Sequence, residues 1–420
     1  MLTRRQFTKS ILGSGLAVAY AAEAAAPLSP PDLSAAQDFD LLIKGGTVID
    51  PGQSLHAALD VAVKDGKILE LSPEISIARA RKVFSAKDKI VTPGLIDVHV
   101  HVFEGIGMSG VNADQSCLGR GVTTAVDAGS AGYSAITGFR KYIINTSATR
   151  IFAMLDICSM GLVVGAKDSM NNLEWVDSKL TARAAQENKP AVVAIKIRLS
   201  KDFTGDKDLE CLRRALEAAE ASQLPLVVHI GDPYSPLPEI VGQMRKGDVL
   251  THIYNNQPHG LVDANGKIIA EVIEARERGV LFDVGQGKAH LDFEVAEKCL
   301  QQNFMPDTIS TDLAWGLGEN QPPFDLVTTM SEFLALGLNL DQVVKWVTVN
   351  AARMFNYGVE LGSLRPGTVA DISILEMGKG TFPFIDSIGG KKRIGKEKLN
   401  SVAVLRAGQL HLTRYARDSN

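Results

Sequence analysis

Apolar positions in residues 39–91 come in short runs: Leu41-Leu42-Ile43, Thr47-Val48-Ile49, an alternating Leu59 to Val63, and Ile68 to Leu71, with a turn at Asp65-Gly66 before the last. Runs of this length bounded by Gly and Asp predict strands, too few for a stable sheet by themselves. From Leu95 the pattern changes. Apolar runs at Leu95 to Val102, Thr123 to Asp127, Ile151 to Ile157, Val192 to Ile197, Leu226 to His229, Val249 to His252, Leu281 to Val284 and Thr308 to Ser310 predict eight strands, and most are separated by amphipathic stretches such as Leu209 to Ala221, Ile269 to Arg278 and Phe293 to Gln302. Continuous apolar strands alternating with helices predict a parallel sheet covered by helices, and eight such units close into a (β/α)8 barrel.

Strand-like patterning returns near the end of the chain. A turn at Gly362-Ser363-Leu364-Arg365-Pro366-Gly367 leads into Ala370 to Leu375, and Val402 to Leu412 is again strand-rich. Chain ends are often neighbours in space, so the two terminal segments are expected to build one small domain. The resulting division is an α/β chain with a TIM-like barrel over 93–361 and a composite β-sandwich domain from 39–92 and 362–420. Ahead of these, Thr3-Arg4-Arg5-Gln6-Phe7-Thr8-Lys9 is followed by an uncharged, mostly apolar run and by Ala24 to Ala26. A basic start, a short apolar stretch and an Ala-x-Ala site are the marks of an export signal, here over residues 1–26 with a linker at 27–38. The paired arginines resemble the twin-arginine type, so an exported, periplasmic protein without a stable membrane anchor is expected.

Composition adds mainly exclusions. The 420 residues are 45% hydrophobic and 22% charged with a net charge of −4, an ordinary globular balance without the basic patch that nucleic-acid binding needs. A small-molecule substrate is the expected partner, with a homo-oligomer left open. Cys117, Cys158, Cys211 and Cys299 are far apart and form no CxxC pair, which points to neither a disulfide framework nor a thiolate metal site; whether any of them pair stays open.

The informative residues are polar groups at predicted strand ends, where barrel active sites form. His99 and His101 close Pro93-Gly94-Leu95-Ile96-Asp97-Val98-His99-Val100-His101; alternate residues of a strand project to one side, so both can hold one metal ion, with Asp97 oriented to support a ligand. His229 ends Leu226-Val227-Val228, and His252 ends Val249-Leu250-Thr251. Lys196 ends Ala191-Val192-Val193-Ala194-Ile195. A buried strand-end lysine is costly unless paired. Two accounts are open for it, a carbamate formed from carbon dioxide that bridges two cations, or a salt bridge. Asp312, after Ile309-Ser310-Thr311, suits a metal ligand that also takes a proton from bound water; its alternative is a helix N-cap.

Together these residues resemble the binuclear amidohydrolase superfamily. The resemblance implies two divalent ions, zinc by ligand type, on His99, His101, Lys196 (N6-carboxylated), His229, His252 and Asp312, taken from strands one, four, five, six and eight, with Asp312 as the catalytic acid and base. It runs over most of residues 39–412. Gly121 to Ser130 and Phe282-Asp283-Val284-Gly285 resemble the deacetylase, or dihydroorotase-like, group, which implies hydrolysis of amide or ester bonds, with acetyl or other acyl groups removed from amino-acid or 2-hydroxy-acid derivatives. Phe103 stands where dihydroorotases carry an arginine and D-aminoacylases an aspartate. A cyclic amidase is the nearest alternative, and a non-catalytic binding scaffold the alternative of another class. Arg198, Tyr254, Asn255, His290 and Trp315 are the candidate substrate contacts.

Overall fold

The computed structural model describes residues 38–106, 109–165, 167–314 and 325–418. Residues 1–37, which carry the export signal and nearly all of the linker expected above, lie outside this set, as does Trp315. Seven parallel strands form the central sheet: β6 (Leu95–Val100), β7 (Val122–Gly132), β8 (Arg150–Asp156), β9 (Val192–Leu199), β10 (Leu226–Ile230), β11 (Val249–Thr251) and β12 (Leu281–Asp283), each beside its sequence neighbour. The earlier members of the second sheet are β1 (Leu41–Asp50), β2 (Leu55–Lys64), β3 (Lys67–Ser72), β4 (Val83–Ser85) and β5 (Ile90–Pro93).

The eighth barrel position is not a regular strand. Residues 308–313 pair at single points, Thr308 with Asp283 and Leu313 with Val100. Backbone bonds from Gln286 to Ser310 (3.0 Å) and from Asp312 to His99 (2.7 Å) complete the seam. Asp97 reinforces it, accepting from the Thr311 hydroxyl at 2.6 Å and the Thr311 amide at 3.1 Å. The sheet is thereby closed between its first and last strands. Helices Ser178–Glu187, Asp208–Ser222, Ala270–Arg278 and Phe293–Gln301 follow β8, β9, β11 and β12. Their apolar faces cover the outward side chains, among them Ile195, Ile197, Val228, Leu250 and Phe282. Inward side chains from the starts of the strands, including Ala194, Val227 and Val249, pack with Met354, Phe355 and Tyr357, which fills the end of the barrel opposite the strand tips.

Both chain ends contribute to the second sheet. Its order is β15 (Gln409–Leu412), β14 (Lys392–Arg406), β13 (Ile372–Ile385), β5, β1, β2 and β3, with β4 also beside β1. Two runs expected as separate strands, 41–43 and 47–49, are one strand with a register shift between Ile43 and Gly46. Gly45 makes the shift with φ of 75°, a conformation that costs glycine little. β13 and β14 also extend well past the expected apolar runs, as a long hairpin whose tip reaches the barrel.

Among the described residues no helix is long and apolar enough to cross a membrane. The two sheets are joined at Ser373, whose hydroxyl donates to the Gly121 carbonyl at 2.8 Å and accepts from the Leu95 amide at 3.0 Å. Ser373→Ala leaves two buried backbone groups of the first barrel strands without these partners. It is expected to cost about 1–3 kcal/mol, read as a lower denaturation midpoint with an unchanged slope; an unchanged midpoint would deny the joint its structural role.

Candidate metal centre

The polar residues at the strand ends converge. The Asp312 carboxylate lies 3.3 Å from His99 Nε2 and 3.1 Å from His101 Nε2. Lys196 Nζ is 3.3 Å from His99 Nε2. The rings of His229 and His252 are 4.3 Å apart between centroids, and those of His99 and His252 4.9 Å. All six residues expected as ligands therefore share one face of the barrel. Asp312 and His252 both sit at positive φ, 52° and 70°, so the chain turns sharply as it leaves each strand and aims both side chains inward.

Hydrogen bonds fix which nitrogen each ring presents. His252 Nδ1 donates to the Gly285 carbonyl at 2.7 Å, so its Nε2 carries the lone pair, and that atom is buried without a partner. The Thr251 hydroxyl gives its proton to Asp283 at 2.8 Å and so accepts from His99 Nδ1 at 3.1 Å, which turns the His99 Nε2 lone pair into the cluster, toward Lys196 Nζ. His101 Nδ1 is held by Ser130 Oγ at 2.9 Å. His229 Nε2 is held by Ser200 Oγ at 3.3 Å, leaving Nδ1. Imidazoles pinned through one nitrogen with the other free are what metal ligation requires.

Electrostatics point the same way. Burial pushes His99, His229 and His252 well below the usual imidazole range, with Lys196 adding to the effect on each. Burial, then the Arg198 guanidinium, lowers Lys196 to about 7. Its side chain is 0% exposed, and among the described residues no carboxylate lies within ion-pair distance of Nζ. The salt-bridge account of this lysine finds no partner. Gly129 makes room for it: a Cβ there, at φ of 84°, would come within 2.9 Å of the Lys196 chain.

The expected substrate contacts fare differently. Arg198 is 4% exposed; it donates to Asp156 and to the Ala128 carbonyl at 2.7 Å and the Gly129 carbonyl at 3.2 Å. Those partners account for its guanidinium without a substrate carboxylate. Tyr254 is a core residue and not a wall of the site, since its ring is fully buried near Phe333 and its hydroxyl donates to the Phe304 carbonyl. Asn255 is also buried and ties its loop to the His252 carbonyl at 2.7 Å. Only His290 of the described candidates enters the cluster, its ring 4.0 Å from that of His252. Asp97 binds the closing segment through Thr311 and accepts from the His99 backbone amide at 3.3 Å, so it supports that residue through its backbone. Sequence reasoning did not single out Thr251, Ser130, Ser200 and Asp283, which orient the rings; their signal is a polar residue at or just beyond a strand's buried end.

Fold and site together define a metal-dependent hydrolase on a (β/α)8 barrel, and the neutral nitrogen donors beside a carboxylate fit a divalent metal centre. Residues 90–404 match the Amidohydrolase family, and the chain belongs to it. It is 33% identical to a deacetylase of Enterococcus faecalis over 89% of this chain and 99% of that protein. A crystal structure of an adenine deaminase superposes with a TM-score of 0.83 at 33% identity, covering 90% of this chain and 100% of the other. A crystal structure of a dihydroorotase gives 0.80 at 27%, covering 89% and 99%.

Thr251→Val keeps the shape of that side chain and removes the acceptor for His99. Divalent-metal affinity is expected to fall about 10–100-fold, measured by competition with a chelating dye; wild-type affinity would show that the ring needs no such support.

Proposed function

We propose that the chain removes acetyl or another small acyl group from amino-acid or 2-hydroxy-acid derivatives, with zinc held by His99, His101, a carboxylated Lys196, His229, His252 and Asp312. The observation that carries this reading is the convergence of those side chains with one nitrogen of each imidazole held by a hydroxyl or carbonyl and the other turned into the cluster. The deacetylase likeness along nearly the whole chain supports the substrate class. Carboxylation is favoured by a fully buried lysine, lowered to about 7, since a neutral amine is the form that takes up carbon dioxide.

Divalent ions held by these residues would lower the pKa of water there toward about 7 and polarise an acyl carbonyl. The chain's own part is positional and protonic. Asp312 is the partly exposed carboxylate at the mouth, with 15% of its side chain accessible, placed to take the proton of the attacking water and return it to the leaving nitrogen or oxygen. Arg198 and Asp156 pair with each other beside Lys196, so their opposite charges compensate within the site.

Phe103 packs against Phe139, their centroids 4.6 Å apart, and so offers no charged grip for a substrate carboxylate. The position thus carries neither the arginine of dihydroorotases nor the aspartate of D-aminoacylases, which counts against both of those cleavages. Order of charge, apolarity and small residues in 1–26 supports a periplasmic location, checked by cell fractionation. A panel of N-acyl amino acids, acylated hydroxy acids, dihydroorotate and adenine tests the substrate class; turnover confined to adenine or dihydroorotate would overturn it. Asp312→Asn should lower kcat by about 10²–10⁴-fold. Labelled bicarbonate should add one carbamate carbon signal that is missing from Lys196→Met; its absence from the wild type would remove the carboxylated lysine.

A further inference from the structure

His290 belongs to none of the pinned imidazoles. Its ring lies 4.0 Å from His252 and 5.1 Å from His229 between centroids, and its three-histidine grouping with them brings the ring nitrogens within 4.8 Å of one another. Yet its buried Nδ1 has no hydrogen-bond partner. The proposed ligands are each held through their second nitrogen by a hydroxyl or a carbonyl; a ligating histidine nearly always is. An unpinned ring beside the metal ligands suits a different task, hydrogen bonding to something that arrives with the substrate.

What holds this residue in place is its backbone, and the holder is the other domain. The tip between β13 and β14 meets the segment after β12. Ser387 Oγ accepts from the His290 amide at 3.3 Å and the Leu291 amide at 2.9 Å, and donates to the Gln286 carbonyl at 3.1 Å. The Ser387 amide donates back to the Leu291 carbonyl at 3.1 Å. Lys391 clamps Asp292 at 2.9 Å, and Arg393 pairs with Glu297 at 2.6 Å. On the inner side the segment presses on the catalytic carboxylate: a Cβ on Gly287 would come within 2.6 Å of Asp312 Oδ2 and 2.7 Å of the His290 ring. The backbone that carries the ring is thus fixed beside the paired histidines and Asp312 by bonds that originate in the composite β domain.

We infer that His290 is a catalytic residue that donates a hydrogen bond to the acyl oxygen as attack makes it tetrahedral, and that Ser387 on the hairpin tip is its positioning residue. The composite β domain is then a working part of the active site. This rests on the deacylase reading, and donors aimed at a developing oxyanion are worth about 10²–10³ in kcat.

The test compares full-length wild type, His290→Asn, His290→Gln and Ser387→Ala, each loaded with cobalt. Cobalt content is measured by elemental analysis. Methylphosphonate, a stable analogue of the tetrahedral acyl adduct, is titrated against the visible cobalt spectrum, and turnover is followed on whichever acylated amino or hydroxy acid the wild type cleaves. Wild-type cobalt content in all variants is expected, with kcat down about 10²–10³-fold in His290→Asn and KM nearly unchanged. Methylphosphonate should bind about 10-fold or more weakly there, and Ser387→Ala should fall between. Loss of cobalt from both His290 variants would make His290 a metal ligand and overturn the assignment, as would wild-type kcat and methylphosphonate affinity in both. A wild type that binds methylphosphonate through His290 but cleaves no acyl compound would remove the deacylase reading while leaving the oxyanion contact standing. Failure of cobalt-loaded wild type to bind methylphosphonate would overturn the contact.

Discussion

An amine and the imidazoles of His99, His229 and His252 packed together out of water cannot all be protonated. Burial alone disfavours the charged form of each, and every neighbour that took a proton would make the next protonation harder. Lys196 is accordingly lowered to about 7 and His99, His229 and His252 well below their ordinary range. The result is a pocket of lone pairs with one carboxylate at its rim. Such a cluster has little reason to exist in a folded chain except to receive positive charge from outside, and the surrounding structure is arranged so that the lone pairs face the same space.

That arrangement begins with the barrel. Parallel strands put their ends on one rim, and the same alternation that sends Ile195 and Ile197 toward the helices sends Lys196 and Arg198 inward. The closing segment has the harder task, because residues 308–313 must both seal the sheet and deliver Asp312. They do so with few backbone pairs and with side-chain bonds from Asp97 and Asp283, two buried carboxylates satisfied by hydroxyls. Asp283 joins both jobs: it accepts from Ser310 on the closing segment and from Thr251, the residue that orients His99.

Much of this was legible in the chain. Seven barrel strands appear as apolar runs because each is covered on both sides, and a His, Lys or Asp at the end of such a run has few structural explanations. Other features were hidden for stated reasons. The outer arms of β13 and β14, with Lys379, Lys392, Lys396, Glu397 and Lys398, are solvated and carry no apolar alternation to mark them. Arg198 reads as a free cation until Asp156, on the neighbouring strand, is seen beside it. Tyr254 follows a metal-ligand candidate by two positions, yet the left-handed turn at His252 sends the chain away from the mouth and buries the ring.

The hidden hairpin bears on how the two domains relate. A composite sheet made from both chain ends could simply tie those ends together, and its joint at Ser373 does so near the starts of the first barrel strands. The hairpin tip does something this tie does not require, since it crosses to the opposite rim and bonds to backbone next to His290 and Asp312. A single serine hydroxyl there serves three backbone groups of one short segment. Flanking ion pairs from Lys391 and Arg393 hold the tip against the helix that follows. Side chains with such partners on a segment touching the Asp312 carboxylate restrict its movement, and restriction is what the donor role proposed for His290 would need, because the contribution of such a donor falls quickly with misplacement. The barrel positions the proposed ligands, and the chain ends hold the backbone of an imidazole beside them that no hydrogen bond of the barrel orients.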